Sequence, residues 1–247
     1  MDKMVALVTG SNRGIGRSII IELAKNGIDV VINYCHHAEE AIRLQEYVEE
    51  NFHVHTMVVQ CDISKEEEVE KMINSIVDRF GSIDILINNA GVSRDNFFFD
   101  KTLKEFKRVI DVNLIGTFLV SKYVSKYMLE NKNGKIINIS STNALDTYYP
   151  ESCDYDASKA GVVSLTHNLA RELAPFIQVN CICPGWVKTE MSKGLSIEQI
   201  NNEKKKILLG RFADAKEIAK VVCFLVSPDA SYINDSIIRV DGGKFNG

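Results

Sequence analysis

The chain has 247 residues, 45% of them hydrophobic and 25% charged, which is the balance of a soluble globular protein. A formal net charge of −4 argues against non-specific nucleic-acid binding. No segment approaches the ~18 uninterrupted apolar residues of a membrane span, and Met1-Asp2-Lys3-Met4 runs straight into a strand pattern with no signal-peptide core, so a cytoplasmic protein is expected.

Met4 to Val8 is a short apolar run of the kind buried in a parallel sheet. It ends at Thr9-Gly10 and leads to a helix through Arg17 to Asn26, stopped by Gly27. The joining loop is Thr9-Gly10-Ser11-Asn12-Arg13-Gly14-Ile15-Gly16. Gly10 permits the tight turn, while Gly14 and Gly16 let backbone N–H groups and the helix N-terminus approach a pyrophosphate. Val30 to Ile32 is a second strand, and an amphipathic helix follows from about Ala38 to Asn51. Val54 to Gln60 is the third strand, and Ser64-Lys65-Glu66-Glu67 reads as a capping box for a helix ending near Gly81. Ile83 to Ile87 is the fourth strand, followed by Asn88-Asn89-Ala90-Gly91.

Thr102-Leu103-Lys104-Glu105 is a second capping box, and its long helix carries apolar residues on several faces. Asn113 interrupts that helix. Asparagine competes for backbone hydrogen bonds, so a local kink that frees a carbonyl is expected there. Ile136 to Ile139 is the fifth strand and ends in Ser140-Ser141. A helix from about Tyr155 to Ala174 is closed by Pro175, and Gln178 to Ile182 is the sixth strand. Pro184-Gly185-Trp186-Val187-Lys188-Thr189 follows it. The stretch 189–209 is polar and partly helical, with Ser196-Ile197-Glu198-Gln199 as a cap, and lies where a lid over the carboxyl ends of the strands would lie. Asp214-Ala215-Lys216-Glu217 caps the last helix, Pro228 ends it, and Ser236 to Val240 is the seventh strand.

Strands and helices alternate throughout, with no linker, repeat or change of composition. That pattern calls for an α/β fold: one doubly wound Rossmann-type domain over 1–247, with a seven-stranded parallel sheet in the order 3-2-1-4-5-6-7 and helices on both faces.

The chemistry centres on Tyr155-Asp156-Ala157-Ser158-Lys159. A phenol and an ammonium four residues apart share one helix face. A nearby cation favours phenolate, so Lys159 is expected to bring Tyr155 below the usual phenol value of about 10 and make it an acid of use near neutral pH. No cluster of His, Cys and carboxylates is visible, so no metal is expected, and the adjacent His36 and His37 read as solvated. The six cysteines form no Cys-x-x-Cys pair and read as free thiols; Cys181 and Cys183 point to one strand face, and Cys153 stands out for its closeness to Tyr155.

Thr-Gly-x-x-x-Gly-x-Gly, then Asn88 to Gly91, Asn113, Ser141, Tyr155 with Lys159, and Pro184-Gly185 occur in that order. The set resembles the short-chain dehydrogenase/reductase family over essentially the whole chain. The resemblance implies a catalytic group of Asn113, Ser141, Tyr155 and Lys159. Ser141 would hydrogen-bond a substrate carbonyl, with Ser140 the competing candidate, and Asn113 would hold a water beside Lys159 in a proton relay. It also implies a cofactor surface of Gly10, Ser11, Asn12, Arg13, Gly14, Ile15, Gly16, Tyr34, Asp62, Ile63, Asn89, Ala90, Gly91, Tyr155, Lys159, Pro184, Gly185, Val187 and Thr189, with Asp62 and Ile63 against the adenine. The end of strand two, Asn33-Tyr34-Cys35-His36-His37, offers no acid to a ribose 2′-OH; Asp29 precedes it and Glu39 lies past the turn. Arg13 is placed to pair with a 2′-phosphate, so NADP(H) is the expected cofactor.

Within the family the sequence is most similar to 3-oxoacyl-[acyl-carrier-protein] reductases. Supporting stretches are Leu209 to Phe212, Ser231 to Ile233 and Val240 to Gly243, and Asp235 departs from the usual glycine. That resemblance implies docking of acyl carrier protein on Lys132 and Arg171, and a homotetramer that buries the helices Thr102–Lys132 and Tyr155–Ala174. Fourteen positions separate Ser141 from Tyr155, one more than in typical relatives, so the loop 142–154 should be shaped differently. Its Tyr148, Tyr149 and Pro150 either wall a substrate pocket or pack on the surface. Other readings are a dehydrogenase acting on a steroid, a sugar or a small ketone and, further off, a non-catalytic NADP-binding regulator.

Overall fold

The computed structural model describes residues 3–244, so the two ends of the expected 1–247 domain lie outside the described residues. Seven strands form one parallel sheet in the order β3-β2-β1-β4-β5-β6-β9. They are β1 (Val5–Val8), β2 (Asp29–Tyr34), β3 (Thr56–Gln60), β4 (Ile85–Asn88), β5 (Gly134–Ile139), β6 (Ile177–Pro184) and β9 (Ile237–Val240). This is the expected strand order, with β9 as the seventh strand of the sequence reading. Two short strands were not foreseen: β7 (Val187–Lys188) pairs in parallel with β8 (Ala213–Asp214) outside the main sheet.

Side-chain alternation along the strands sorts the core into two layers. Ala6 and Val8 of β1, with Val30 and Ile32 of β2, face the helices α1 (Gly14–Lys25), α2 (Ala38–Phe52) and α8 (Ala215–Val226). Val5, Leu7 and Val31 face the opposite layer, with α3 (Glu66–Phe80) and α5 (Gly116–Glu130). Both sheet faces are therefore covered, which is why β1 reads as an unbroken apolar run. Each fully buried Leu or Ile side chain, such as Leu7, Ile20 and Leu86, contributes about 1.5–3 kcal/mol.

The long helix expected after Thr102 is divided. Its capping box forms, and α4 (Leu103–Ile110) runs into a single π-helical turn, Asp111–Ile115, before α5 begins. Asn113 sits in that turn, so the anomaly read from its side chain is a local widening of the helix. The boxes at Ser196 and Asp214 also form, capping α7 (Ile197–Lys205) and α8. The box expected at Ser64 does not. Helix α3 starts at Glu66 with Lys65 as its cap, and the Ser64 hydroxyl donates instead to Asp62 at 2.7 Å. The reach-back is made by Glu68, whose carboxylate accepts from the Asp62 N–H at 2.8 Å. Helix α6 (Cys153–Glu172) starts two residues before Tyr155, on the loop side.

The strand order turns back at the boundary of β1 and β4, where a crevice opens at the carboxyl ends of the strands. Thr9 closes its floor. The Thr9 hydroxyl accepts from the N–H groups of Asn89 and Ala90 at 3.0 Å each and so ties the end of β1 to the end of β4.

Candidate active site

The glycine loop is built from both sides. Gly10 takes φ 58°, and a Cβ there would lie 2.9 Å from Ala90 Cα, so only glycine fits. Its N–H donates to Asn33 Oδ1 at 3.0 Å, while the Asn33 carbonyl accepts from Ser11 at 2.8 Å. Asn33 was not singled out from sequence; the available signal was a polar side chain in an otherwise apolar strand. A Cβ on Gly16 would lie 2.6 Å from Asn89 Nδ2 and 2.7 Å from Ser11 Cα. The Asn89 amide donates to the carbonyls of Thr9 and Gly10 at 2.9 and 3.0 Å, so its side chain holds the loop itself.

Helix α1 begins next to this loop with Arg13 as its cap. No side chain caps it, and no acid lies in its first turn. Its leading N–H groups are therefore left to an anionic ligand. A Cβ on Gly14 would lie 3.6 Å from Thr189 Cγ2, so the loop faces the stretch after β6 across a narrow gap. These features fit the pyrophosphate of a dinucleotide, with Gly10 to Gly16 on one wall and Pro184 to Thr189 on the other.

The end expected to take the adenine is more occupied than the sequence suggested. The Asp62 carboxylate accepts from Ser64 and from Arg108 Nη1, the latter at 3.1 Å. Burial acts to raise its pKa, but these hydrogen bonds and the Arg108 cation outweigh burial and leave the carboxyl below its usual value. The Ile63 side chain is buried and packs on Gly116. Tyr34 is half-buried at the end of β2, and Arg13 is exposed with no salt bridge among the described residues. Asn12 donates to the His36 carbonyl at 3.3 Å and to Glu40 at 3.1 Å. Glu40 is an acid on this rim that the sequence reading passed over, because it enters from the first turn of α2 and not from the strand.

The catalytic candidates converge at the carboxyl ends of β4 and β5. Ser140 donates to the Lys159 carbonyl at 2.9 Å, which commits it to the helix backbone. Ser141 is the serine whose hydroxyl acts on the Tyr155 phenol, lowering it against burial. The Lys159 ammonium donates to the Ile139 carbonyl at 2.8 Å and lies 5.7 Å from the centre of the Tyr155 ring. A Cβ on Gly91 would meet Lys159 Nζ at 3.4 Å and Asn113 Oδ1 at 3.5 Å, so Gly91 lies against both groups. Asn113 clamps Val92, accepting from its N–H at 2.8 Å and donating to its carbonyl at 3.0 Å, and it also donates to Ser158 at 3.0 Å. The Asn113 carbonyl accepts from the Thr117 hydroxyl at 2.8 Å, so it is not left bare by the π turn.

One expectation is corrected. Burial pushes the Tyr155 phenol up to about 12, against the lowering expected from Lys159. The Ser141 hydrogen bond opposes that push, and the residue keeps part of its surface accessible. Burial also pushes the Lys159 ammonium down, to about 8, with the nearby Cys181 and Cys183 opposing it. Without ligand, enclosure disfavours the charged form of each of the two groups.

The expected lid leaves the body at β7 and returns at β8. Trp186, the one tryptophan of the chain, joins it to the rest. Its indole N–H donates to Tyr149 at 3.1 Å and to Glu203 Oε2 at 3.0 Å, and its ring stacks on Phe212 with centroids 5.4 Å apart. Tyr149 donates to the same Glu203 oxygen at 2.9 Å. Tyr149 is thus tied to α7, while Tyr148 and Pro150 remain exposed. Lys132 and Arg171 are exposed near the ends of α5 and α6. Asp235 adopts φ 58°, the left-handed conformation that a glycine ordinarily fills, and its carboxylate lies 2.5 Å from His167 Nδ1.

Comparison with known proteins agrees with this geometry. A family model described as "Enoyl-(Acyl carrier protein) reductase" matches residues 10–244. The chain belongs to the short-chain dehydrogenase/reductase family, and so is an oxidoreductase of CH–OH and C=O groups that uses a nicotinamide dinucleotide. It is 39% identical to the 3-oxoacyl-[acyl-carrier-protein] reductase FabG of Staphylococcus epidermidis, covering 97% of this chain and 98% of that one. It is 40% identical to the same enzyme of Aquifex aeolicus, covering 98% and 97%. Among solved structures, levodione reductase superposes with a TM-score of 0.92 at 32% identity, covering 97% of this chain and 96% of that one. A Serratia marcescens short-chain dehydrogenase/reductase mutant gives a TM-score of 0.92 at 33% identity, covering 97% of each.

Proposed function

We propose that this chain is an NADPH-dependent 3-oxoacyl-[acyl-carrier-protein] reductase with Asn113, Ser141, Tyr155 and Lys159 as its catalytic group. The observation that carries the chemistry is the Ser141 hydroxyl on the Tyr155 phenol, with Lys159 on the same helix and Gly91 beside it. The near full-length likeness to 3-oxoacyl-[acyl-carrier-protein] reductases supports the substrate class.

A bound nicotinamide dinucleotide supplies hydride to the carbonyl carbon. The chain's own residues handle the oxygen and the proton. Tyr155 is fully protonated at neutral pH, which is the form a proton donor needs, and it gives its proton to the carbonyl oxygen as negative charge builds there. The Ser141 hydroxyl hydrogen-bonds the same oxygen. Lys159, charged below about pH 8, stabilises the phenolate left behind. Asn113 fixes the backbone of residue 92 against α6 and keeps the floor beside Lys159 in place. The exposed Arg13 favours a 2′-phosphate, and Glu40 opposes it from the same rim.

Lys132 and Arg171 offer cations to an acidic carrier protein. The exposed apolar residues Leu103, Ile115, Phe118 and Leu129 on α4, the π turn and α5 favour burial between copies in a homotetramer. No helix among the described residues is long and apolar enough to cross a membrane, in keeping with a cytoplasmic enzyme.

The test is the oxidation of NADPH with acetoacetyl-coenzyme A, set beside a steroid ketone and a sugar ketone. The thioester is expected to give the highest kcat/KM, and a higher value for either ketone contradicts the substrate reading. The kcat/KM ratio for NADPH over NADH should exceed one; a ratio below one contradicts the cofactor reading.

A further inference from the structure

A second set of polar groups lies behind Ser141, outside the motifs used above. The Ser141 hydroxyl donates to Asn143 Oδ1 at 3.1 Å and accepts from the Asn143 N–H at 3.2 Å. Asn143 Nδ2 donates at 2.6 Å to Asp156 Oδ1, which also accepts from the Ser152 hydroxyl at 2.8 Å. Asp156 directly follows Tyr155 on α6, and Asn143 lies in the short 3-10 turn Thr142–Ala144 after β5. The chain closes the loop between Ser141 and Tyr155 at its base through these contacts. The outer part of the loop is tied elsewhere, through Asp146 to Arg239 at 2.7 Å and Thr147 to Lys244 at 2.8 Å.

Donor and acceptor accounting fixes the direction of this chain of bonds. A carboxylate only accepts, so the Asn143 NH2 must face Asp156 and its Oδ1 must face Ser141. A hydroxyl carries one proton and two lone pairs. With its proton on Asn143 and one lone pair taken by the Asn143 N–H, Ser141 keeps one further lone pair. When negative charge builds on the carbonyl oxygen, the Ser141 proton can turn toward it, and Asn143 is the partner it leaves. The neutral amide also keeps the Asp156 carboxylate out of direct contact with Ser141, while the Asp156 charge still acts to raise the Tyr155 phenol.

We propose that Asn143 and Asp156 are positioning residues for carbonyl reduction: they hold the Ser141 hydroxyl in place and set the direction of its proton. The proposal rests on the roles given to Ser141 and Tyr155 above. It predicts that loss of the amide frees the serine rotor while the fold and the cofactor cradle stay intact. Misplacement of a catalytic group by about 1 Å can cost about a hundredfold in rate.

The experiment compares wild type with Asn143→Ala, Asn143→Asp and the double variant Asn143→Asp/Asp156→Asn. For each, kcat with acetoacetyl-coenzyme A, the NADPH Kd and the Tm are measured. Asn143→Ala should lower kcat by about 10- to 100-fold, with the Kd within about twofold and the Tm nearly unchanged. Asn143→Asp sets two carboxylates against each other and should fall at least as far. Adding Asp156→Asn restores a donor between them and should recover kcat at least about tenfold, still below wild type because a charge now faces Ser141. A clamp that only orders the loop would lower the Tm instead. A kcat within about twofold of wild type for Asn143→Ala overturns the proposal. If only another ketone is reduced, the substrate reading falls and the same variants are compared on that ketone. Crystal structures of wild type and Asn143→Ala decide the matter without turnover: Ser141 Oγ should leave its place beside the Tyr155 oxygen or split between rotamers. An unmoved, single-rotamer Ser141 overturns the proposal whatever the enzyme reduces.

Discussion

Lys101→Met tests the packing that holds the start of α6 against the loop after β4. Lys101 and Asp154 form an ion pair of 3.0 Å, with side chains only 3% and 0% exposed. Lys101 also donates to the Arg94 carbonyl, and Asp154 Oδ1 accepts from the Tyr155 N–H at 2.9 Å. Asp154 Oδ2 is buried with no hydrogen-bond partner, so the carboxylate is held by one cation and one N–H on a single oxygen. Removing the cation leaves a buried anion with one hydrogen bond. Breaking a buried pair from one side costs about 3–5 kcal/mol, a large part of a typical domain stability of about 5–15 kcal/mol. Replacing both partners removes the uncompensated charge, so Lys101→Met/Asp154→Asn should be more stable than Lys101→Met alone. The assay is urea unfolding of wild type, both single variants and the double at one pH and protein concentration. A Lys101→Met loss below about 1 kcal/mol, or a double variant no more stable than Lys101→Met, refutes the reasoning.

Two further outcomes follow from the site. Gly16→Ala puts a methyl 2.6 Å from Asn89 Nδ2 and 2.8 Å from the Gly10 carbonyl, so the loop must open; NADPH Kd, read by fluorescence titration, should rise at least about tenfold, and an unchanged Kd contradicts the crowding. Lys159 carries its proton in the unfolded chain up to the ordinary value of 10.5, but in the folded protein only up to about 8. Between those two values the unfolded state binds the extra proton, so folding stability rises with pH. Urea unfolding of the unliganded protein should show wild type gaining about 3 kcal/mol over Lys159→Met across that window, and a pH-independent difference contradicts it.

The fold was legible because buried parallel strands announce themselves as short apolar runs, and the alternating helices leave one topology. Three of four capping boxes were legible for a similar reason, since a cap is a contact three residues long. At Ser64 the neighbouring Asp62 competes for the same hydroxyl, and the sequence does not say which acceptor wins. Asn113 signalled a break in its helix, but not that the break would be a π turn or that Thr117 would take its carbonyl. The β7–β8 pair is too short to carry a pattern. The candidate site was legible where a role needs a residue type at a fixed spacing, as for Gly10, Gly16, Tyr155 and Lys159. Its tuning was not. The upward push on Tyr155 comes from burial by residues far apart in the chain, and spacing along one helix does not show it. Asn33, Glu40 and the Lys101–Asp154 pair join segments distant in sequence, and such contacts leave no local mark.

The central claim is that Tyr155 gives the proton that accompanies hydride transfer. Tyr155→Phe keeps the ring and removes only the hydroxyl, so single-turnover rate and NADPH Kd on the purified variant separate chemistry from binding. A loss of about 10²–10⁴-fold in rate with Kd within about threefold of wild type is expected; a near-normal rate contradicts the role given to Tyr155.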